Sequence, residues 1–237
     1  MAGALGQPDS PSPTPTVVLV HGLWMRGPEL TLLRLRLRRF GYRVVLFRYP
    51  STRRTVAEQG HQLGLFLEML VASSGIHGPV HVVGHSLGGL VSLAMLQHAI
   101  GKSAGYGLVG RVVLLGSPVG GSRVARQFAT WGGWARTLLG QSYPAGLDGQ
   151  FPSGAMPSTA VGVIAGTLRW GIAWLFPGLS VPNDGLVAVG ETRLESAADT
   201  LCCRVSHLGL VLSSRVAYQV HHFLRDGCFH HGCFQIP

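Results

Sequence analysis

The chain has 237 residues, of which 46% are apolar and only 12% charged, with a formal net charge of +9. That length allows one domain with a sizeable core, or two small ones, and the charge content is about half the usual ~25%, so some apolar surface is expected to stay exposed. Eighteen of the 19 basic residues are arginine, but no nucleic-acid-binding motif accompanies them, so the composition argues against a nucleic-acid partner.

Residues 1–15 carry several prolines and no basic residue, and lack the charged start and apolar centre of a signal peptide. They read as a disordered leader to a domain spanning 16–227, followed by a tail at 228–237. The first strand is expected at Val17–Val20. A Leu-rich helix follows over about 28–40, with Leu30, Leu33, Leu37 and Phe40 spaced between arginines as one face of an amphipathic helix. Val44–Tyr49 is the next strand, 55–74 a helix, Val80–Val83 the third strand, and a helix runs from Ser86 to about Ala99. Arg111–Leu115 is the fourth strand. Residues 122–139 suggest a helix, and a Gly/Pro-rich loop runs on to about Ser158. Ala160–Ala165 and Leu201–Val205 are the last strands, and 211–225 the last helix. Nearly continuous apolar strands alternating with helices predict an α/β fold: a mostly parallel sheet of about six strands, covered on both faces. Ligands of such sheets bind beyond the carboxyl ends of the strands. No run is long and apolar enough for a transmembrane helix, so a cytoplasmic protein is expected, with transient contact to a membrane surface left open.

Gly84-His85-Ser86-Leu87-Gly88 falls between the third strand and its helix. This is the setting of a nucleophile elbow, whose turn is so tight that side chains two residues either side of the serine would clash. The alternative is a glycine-rich turn with an incidental serine. A serine needs a base, and of eleven histidines His207 stands between the last strand and the last helix, where it can reach over the elbow. The base needs an acid. Asp184, in Asn183-Asp184-Gly185, lies after the fifth strand and before His207, giving the chain order Ser, Asp, His; Asp148 is the alternative acid. The oxyanion donors are expected to be the amides of Leu87 and of Leu23, in the loop after the first strand. Trp24 and Met25 would line the mouth.

These segments carry a resemblance. Val18-Leu-Val-His-Gly22, Gly84-His-Ser-Leu-Gly-Gly89, Asp184-Gly-Leu-Val187 and Ser206-His-Leu-Gly-Leu-Val-Leu-Ser213 resemble the α/β-hydrolase superfamily, and within it small bacterial lipases and esterases. The resemblance covers most of residues 16–226. It implies an α/β-hydrolase fold of about six strands in a three-layer sandwich, a small-molecule or lipid ester as substrate and no cofactor. The chain departs from the smallest such enzymes in cap-like insertions at about 119–158 and 167–183. Trp170 and Trp174 in the second insertion are expected either to wall an acyl site or to form core under a long loop. The same machinery also serves thioesterases, amidases and acyltransferases, and a non-catalytic lipid- or partner-binding scaffold is a further alternative. The tail Cys228-Phe-His-His-Gly-Cys233 reads as a frayed end, with metal binding as the alternative.

Overall fold

The computed structural model describes residues 14–74, 76, 78–99, 109–149, 158–171 and 175–232. Six strands, β1 (Thr16–Val20), β2 (Arg43–Phe47), β3 (Val80–His85), β4 (Val109–Leu115), β5 (Val161–Gly166) and β6 (Asp199–Cys203), form one sheet in the order β2-β1-β3-β4-β5-β6. Every pairing is parallel. Strand order reverses between β1 and β3, which is where a crevice opens in such a sheet.

Alternation along the central strands splits the core into two layers. Val17, Leu19, Val83, Val113 and Leu115 face helices α1 (Thr31–Arg39) and α7 (Ser214–Asp226), together with Leu33, Leu37, Val216 and Phe223. Val18, Val20, Val82, Val112 and Leu114 face α2 (Val56–Ser74) and α3 (Leu87–Ala99), against Leu63, Leu67, Leu90 and Met95. On α1 the expected face is buried at Leu33 and Leu37, while Phe40 is partly exposed and Leu32 and Leu35 stand out among the arginines.

Several boundaries differ from expectation, three of them with a visible cause or consequence. The helix expected over 122–139 is two short ones, α4 (Arg123–Ala129) and α5 (Gly133–Leu139), because Gly132 adopts a φ of 116° between them. The last helix is split likewise into α6 (Gly209–Leu212) and α7, with the Ser213 hydroxyl capping α7 by accepting from Val216 N–H. β6 starts two residues early, at Asp199, whose carboxylate accepts the Phe229 amide at 2.7 Å. The vicinal Cys202 and Cys203 point to opposite sides, one exposed and one buried. Val124, Phe176 and Leu179 of the insertions form a small core of their own with Ala188.

Candidate active site

Ser86 sits between β3 and α3 with a φ of 54°, a left-handed conformation that a non-glycine residue adopts only where its surroundings force it. Its amide donates to the Leu115 carbonyl of β4 at 2.8 Å, which pins the turn to the sheet. The flanking glycines answer two different crowding problems. A Cβ on Gly84 would lie 2.5 Å from the Gly88 carbonyl oxygen, inside the start of α3. A Cβ on Gly88 would strike the Val20 carbonyl at the end of β1 and lie 2.6 Å from that of His21.

Asp184 and His207 are both buried, and His207 Nδ1 stands 2.7 Å from Asp184 Oδ2. A carboxylate can only accept, so Nδ1 carries the proton and Nε2 is left as the basic nitrogen. The other carboxylate oxygen accepts the amides of Leu186 at 2.9 Å and Val187 at 2.7 Å, so Asn183-Asp184-Gly185 forms a turn built around the aspartate side chain. The backbones are tied as well, His207 N–H donating to Asp184 O at 2.8 Å. Asp148, the alternative acid, is half-buried at the end of the turn Tyr143–Leu147, where its carbonyl accepts from Arg126.

The loop after β1 is held by an aromatic pair. The rings of His21 and Tyr49 stack at 4.3 Å, the Tyr49 hydroxyl donates to His21 O at 2.7 Å, and His21 Nε2 accepts the Tyr49 amide at 3.3 Å. His21 Nδ1 therefore bears the proton, donated to Gly22 O at 2.9 Å. Burial pushes the His21 imidazole below its ordinary pKa and the Tyr49 phenol above its own. Two buried, neutral rings thus brace the loop that carries Leu23, Trp24 and Met25.

Ser86 and His207 open into one cavity of about 470 Å³. Leu23, Trp24 and Met25 line one side. Phe128, Trp131, Leu139 and Leu147 of the first insertion and Leu175 and Phe176 of the second supply much of the remaining wall. Apart from Ser86, Ser122 and His207, the wall side chains are hydrocarbon, aromatic or thioether, so the cavity suits an uncharged apolar group. Trp170, expected either at this wall or in a core under the loop, is in neither place. Its ring is 72% exposed, and Phe176 occupies that role from six residues further on. Trp174 lies outside the described residues. Leu87, the first residue of α3, is fully buried beside Ser86.

Three contributors went unread in the sequence. Phe128 is one, an aromatic in a run with no motif. Gly116 after β4 is another: it has a φ of 56°, and a Cβ there would come within 3.1 Å of Asp184 Oδ2 and 3.2 Å of His207 Nδ1. The third is His85, whose ring packs against that of His207 with centroids 4.8 Å apart. Among the described residues no group of three or more His, Cys, Asp or Glu could hold a metal ion, and Cys233 lies outside them. Likewise no described helix is long and apolar enough to cross a membrane.

A family model described as the alpha/beta hydrolase family matches residues 17–217. No curated protein sequence matches the chain. Among solved structures, the mature lipase BlEst2 of Bacillus licheniformis is similar with a TM-score of 0.72 at 22% identity, covering 94% of this chain and 95% of that one. A metagenomic carboxyl esterase, MGS0156, superposes with a TM-score of 0.62 at 18% identity, over 96% of this chain and 82% of the other. The Pyrococcus furiosus esterase Pf2001 does so with a TM-score of 0.58 at 15% identity, over 90% and 83%. At these identities the likeness concerns the fold.

Proposed function

The chain belongs to the alpha/beta hydrolase family, and from that premise we propose that it is a serine ester hydrolase, of esterase or lipase type, working through an acyl-enzyme on Ser86. One observation carries the reading: a serine in a forced left-handed turn and a buried, hydrogen-bonded Asp–His pair open into the same apolar cavity.

Ser86 Oγ attacks the acyl carbonyl carbon while His207 Nε2 takes its proton. Asp184 holds His207 in the tautomer that leaves Nε2 basic and stabilises the imidazolium once formed. The oxyanion lies against the amides of Leu87, at the start of α3, and Leu23, on the loop braced by His21 and Tyr49. The tetrahedral intermediate collapses, His207 gives its proton to the leaving alcohol, and the acyl group stays on Ser86. Water then attacks the acyl-enzyme with His207 again as base, releasing the carboxylic acid. The acyl chain occupies the apolar wall, with Trp24 and Met25 at the mouth.

A fluorophosphonate probe tests this directly. Folded wild-type protein should be labelled at Ser86, Ser86→Ala should not be labelled, and p-nitrophenyl esters should be turned over with a burst. Absence of labelling and turnover in folded protein would sink the proposal and favour a binding scaffold. Faster turnover of acyl-CoA or amide substrates than of oxygen esters would reassign the bond cleaved.

A further inference from the structure

The edge of the cavity carries a large exposed aromatic patch. Trp24 is 57% exposed, Trp131 46%, Trp134 56% and Leu138 50%. The three tryptophan rings share one neighbour, Phe128, at centroid distances of 6.2, 5.2 and 5.5 Å. Trp24, Phe128 and Trp131 also line the cavity, so the patch starts at its mouth and spreads outward. So much tryptophan surface facing water is unfavourable unless something covers it.

The patch is a standing surface, because the first insertion is riveted to the body. Trp24 Nε1 donates to Leu138 O at 2.8 Å and the Gln141 amide to Thr52 O at 2.9 Å. The Ser142 hydroxyl, buried, donates to Ser51 O at 2.6 Å and accepts from Gln59 Nε2 at 3.1 Å. The second insertion is joined to α4 by Gln127 Nε2, which donates to Pro177 O at 2.8 Å.

Charge selects the occupant. Residues 123–139, which form α4 and α5, contain Arg123, Arg126 and Arg136, all exposed, and no acidic residue, on a chain of net charge +9. A second copy would oppose like charges, because a two-fold pairing sets the same patch against itself. Anionic headgroups would neutralise them, and tryptophan favours the headgroup zone, where its ring leaves water while its N–H keeps a partner. We propose that this rim docks the protein on the surface of an anionic phospholipid bilayer, with the mouth of the Ser86 cavity facing the headgroups. Docking does not depend on the ester-hydrolase reading; if that reading also holds, docking brings a lipid ester to the nucleophile.

The test is flotation of the full-length Ser86→Ala protein with vesicles of phosphatidylcholine alone or mixed with phosphatidylglycerol. The inactive variant keeps the bilayer intact and separates docking from catalysis. It should float with the mixed vesicles, with tryptophan emission shifted to the blue and binding weakened by salt. Trp134→Ser with Leu138→Ser should weaken binding by at least about tenfold. Arg123→Gln and Arg126→Gln should each cost about fivefold on mixed vesicles only. Neither Trp134 nor Leu138 lines the cavity, so in an otherwise wild-type chain their replacement should leave turnover of a water-soluble ester within about twofold. Thermal melts establish that the variants are folded, and the arginine and tryptophan arms test the rim independently. Absence of flotation overturns the proposal, as does flotation that survives the Trp134/Leu138 changes. A concentration-dependent dimer that those changes abolish would assign the patch to a second copy instead.

Discussion

His85 stands directly behind His207: their ring centroids are 4.8 Å apart, and His85 Nε2 donates to the His207 carbonyl oxygen at 3.2 Å. The residue next to Ser86 thereby ties down the loop that carries His207. Its Nδ1 is buried with no hydrogen-bond partner among the described residues, so only the neutral ring with Nε2 protonated fits. Burial, with His207 nearby, pushes the His85 pKa down to about 3. His85→Leu keeps bulk but removes the donor; kcat should fall roughly five- to tenfold with the labelling of Ser86 slowed in parallel, the cost of one hydrogen bond of about 1 kcal/mol. An unchanged kcat would mean that the loop holds His207 without it.

The same burial makes stability depend on pH. His81 is also held neutral, at about 4, by burial and then by Arg111. Both folded-state values lie below the ordinary 6.5 of an unfolded histidine. The stability is therefore complete above about pH 6.5 and is lost as pH falls toward the folded values, because the unfolded chain binds the protons. Near pH 5 unfolding takes up close to two protons from these residues, so ΔG should drop by about 2 to 3 kcal/mol per pH unit. Urea unfolding at a series of pH values measures the slope, and His85→Leu should flatten it by about one proton.

Asp184→Asn would present an amide to His207 in place of a carboxylate that accepts its Nδ1–H. The favoured imidazole tautomer then reverses and Nε2 is no longer the free base. We expect kcat to drop by about 10³ to 10⁴, with the fold retained, since the asparagine can still accept the Leu186 and Val187 amides. Asp148→Asn should leave kcat near wild type. The opposite pattern would move the acid to Asp148.

Gly116 tests how closely the Asp–His pair is fitted to the sheet. Gly116→Ala forces a positive φ on alanine and drives a methyl to within 2.6 Å of Leu210 Cδ1, beside both the carboxylate and the imidazole. The expected result is a stability loss of about 1 to 3 kcal/mol and a fall in kcat of at least about tenfold, read by thermal melts and ester turnover. A variant that melts lower yet keeps full kcat would show that the pair does not feel the methyl.

What could be read in the sequence divides along local lines. Ser86 and His207 each follow a strand end within a few residues, so strand prediction alone placed them at one end of the sheet, whereas Asp184 lies well beyond β5 and was legible only from the chain order Ser, Asp, His. Gly84 and Gly88 could be read as crowding because the crowding partners are themselves local or at the end of β1. The cavity wall could not be read this way. Phe128, Trp131, Leu139 and Leu147 meet only after the segment around α4 and α5 folds back over the β2–α2 loop, held by the Gln141 main-chain amide on the Thr52 carbonyl and the Ser142 hydroxyl on the Ser51 carbonyl, neither of which belongs to a motif. Trp170 illustrates the limit: the sequence allowed it as a wall residue, but the loop exposes it, and Phe176, stacked on Trp131 at 5.4 Å, lines the cavity instead. His85 and Gly116 were missed because their importance lies in what comes to rest against them, over a hundred residues away for His85.

The cavity should act as a ruler for the acyl chain. Its wall is apolar, so each methylene that enters it should gain about 0.8 kcal/mol, close to fourfold in kcat/KM, until the roughly 470 Å³ is filled. Ala125 lines the cavity and is buried, so a larger side chain there would take up cavity space. Ala125→Phe would place a ring in that space, shifting the optimum of a p-nitrophenyl ester series to shorter acyl groups. Acetate and butyrate esters should be turned over within about threefold of wild type, since Ser86, His207 and Asp184 are untouched, and the longer esters should lose most. If the two proteins share one chain-length profile, the acyl group does not enter this cavity.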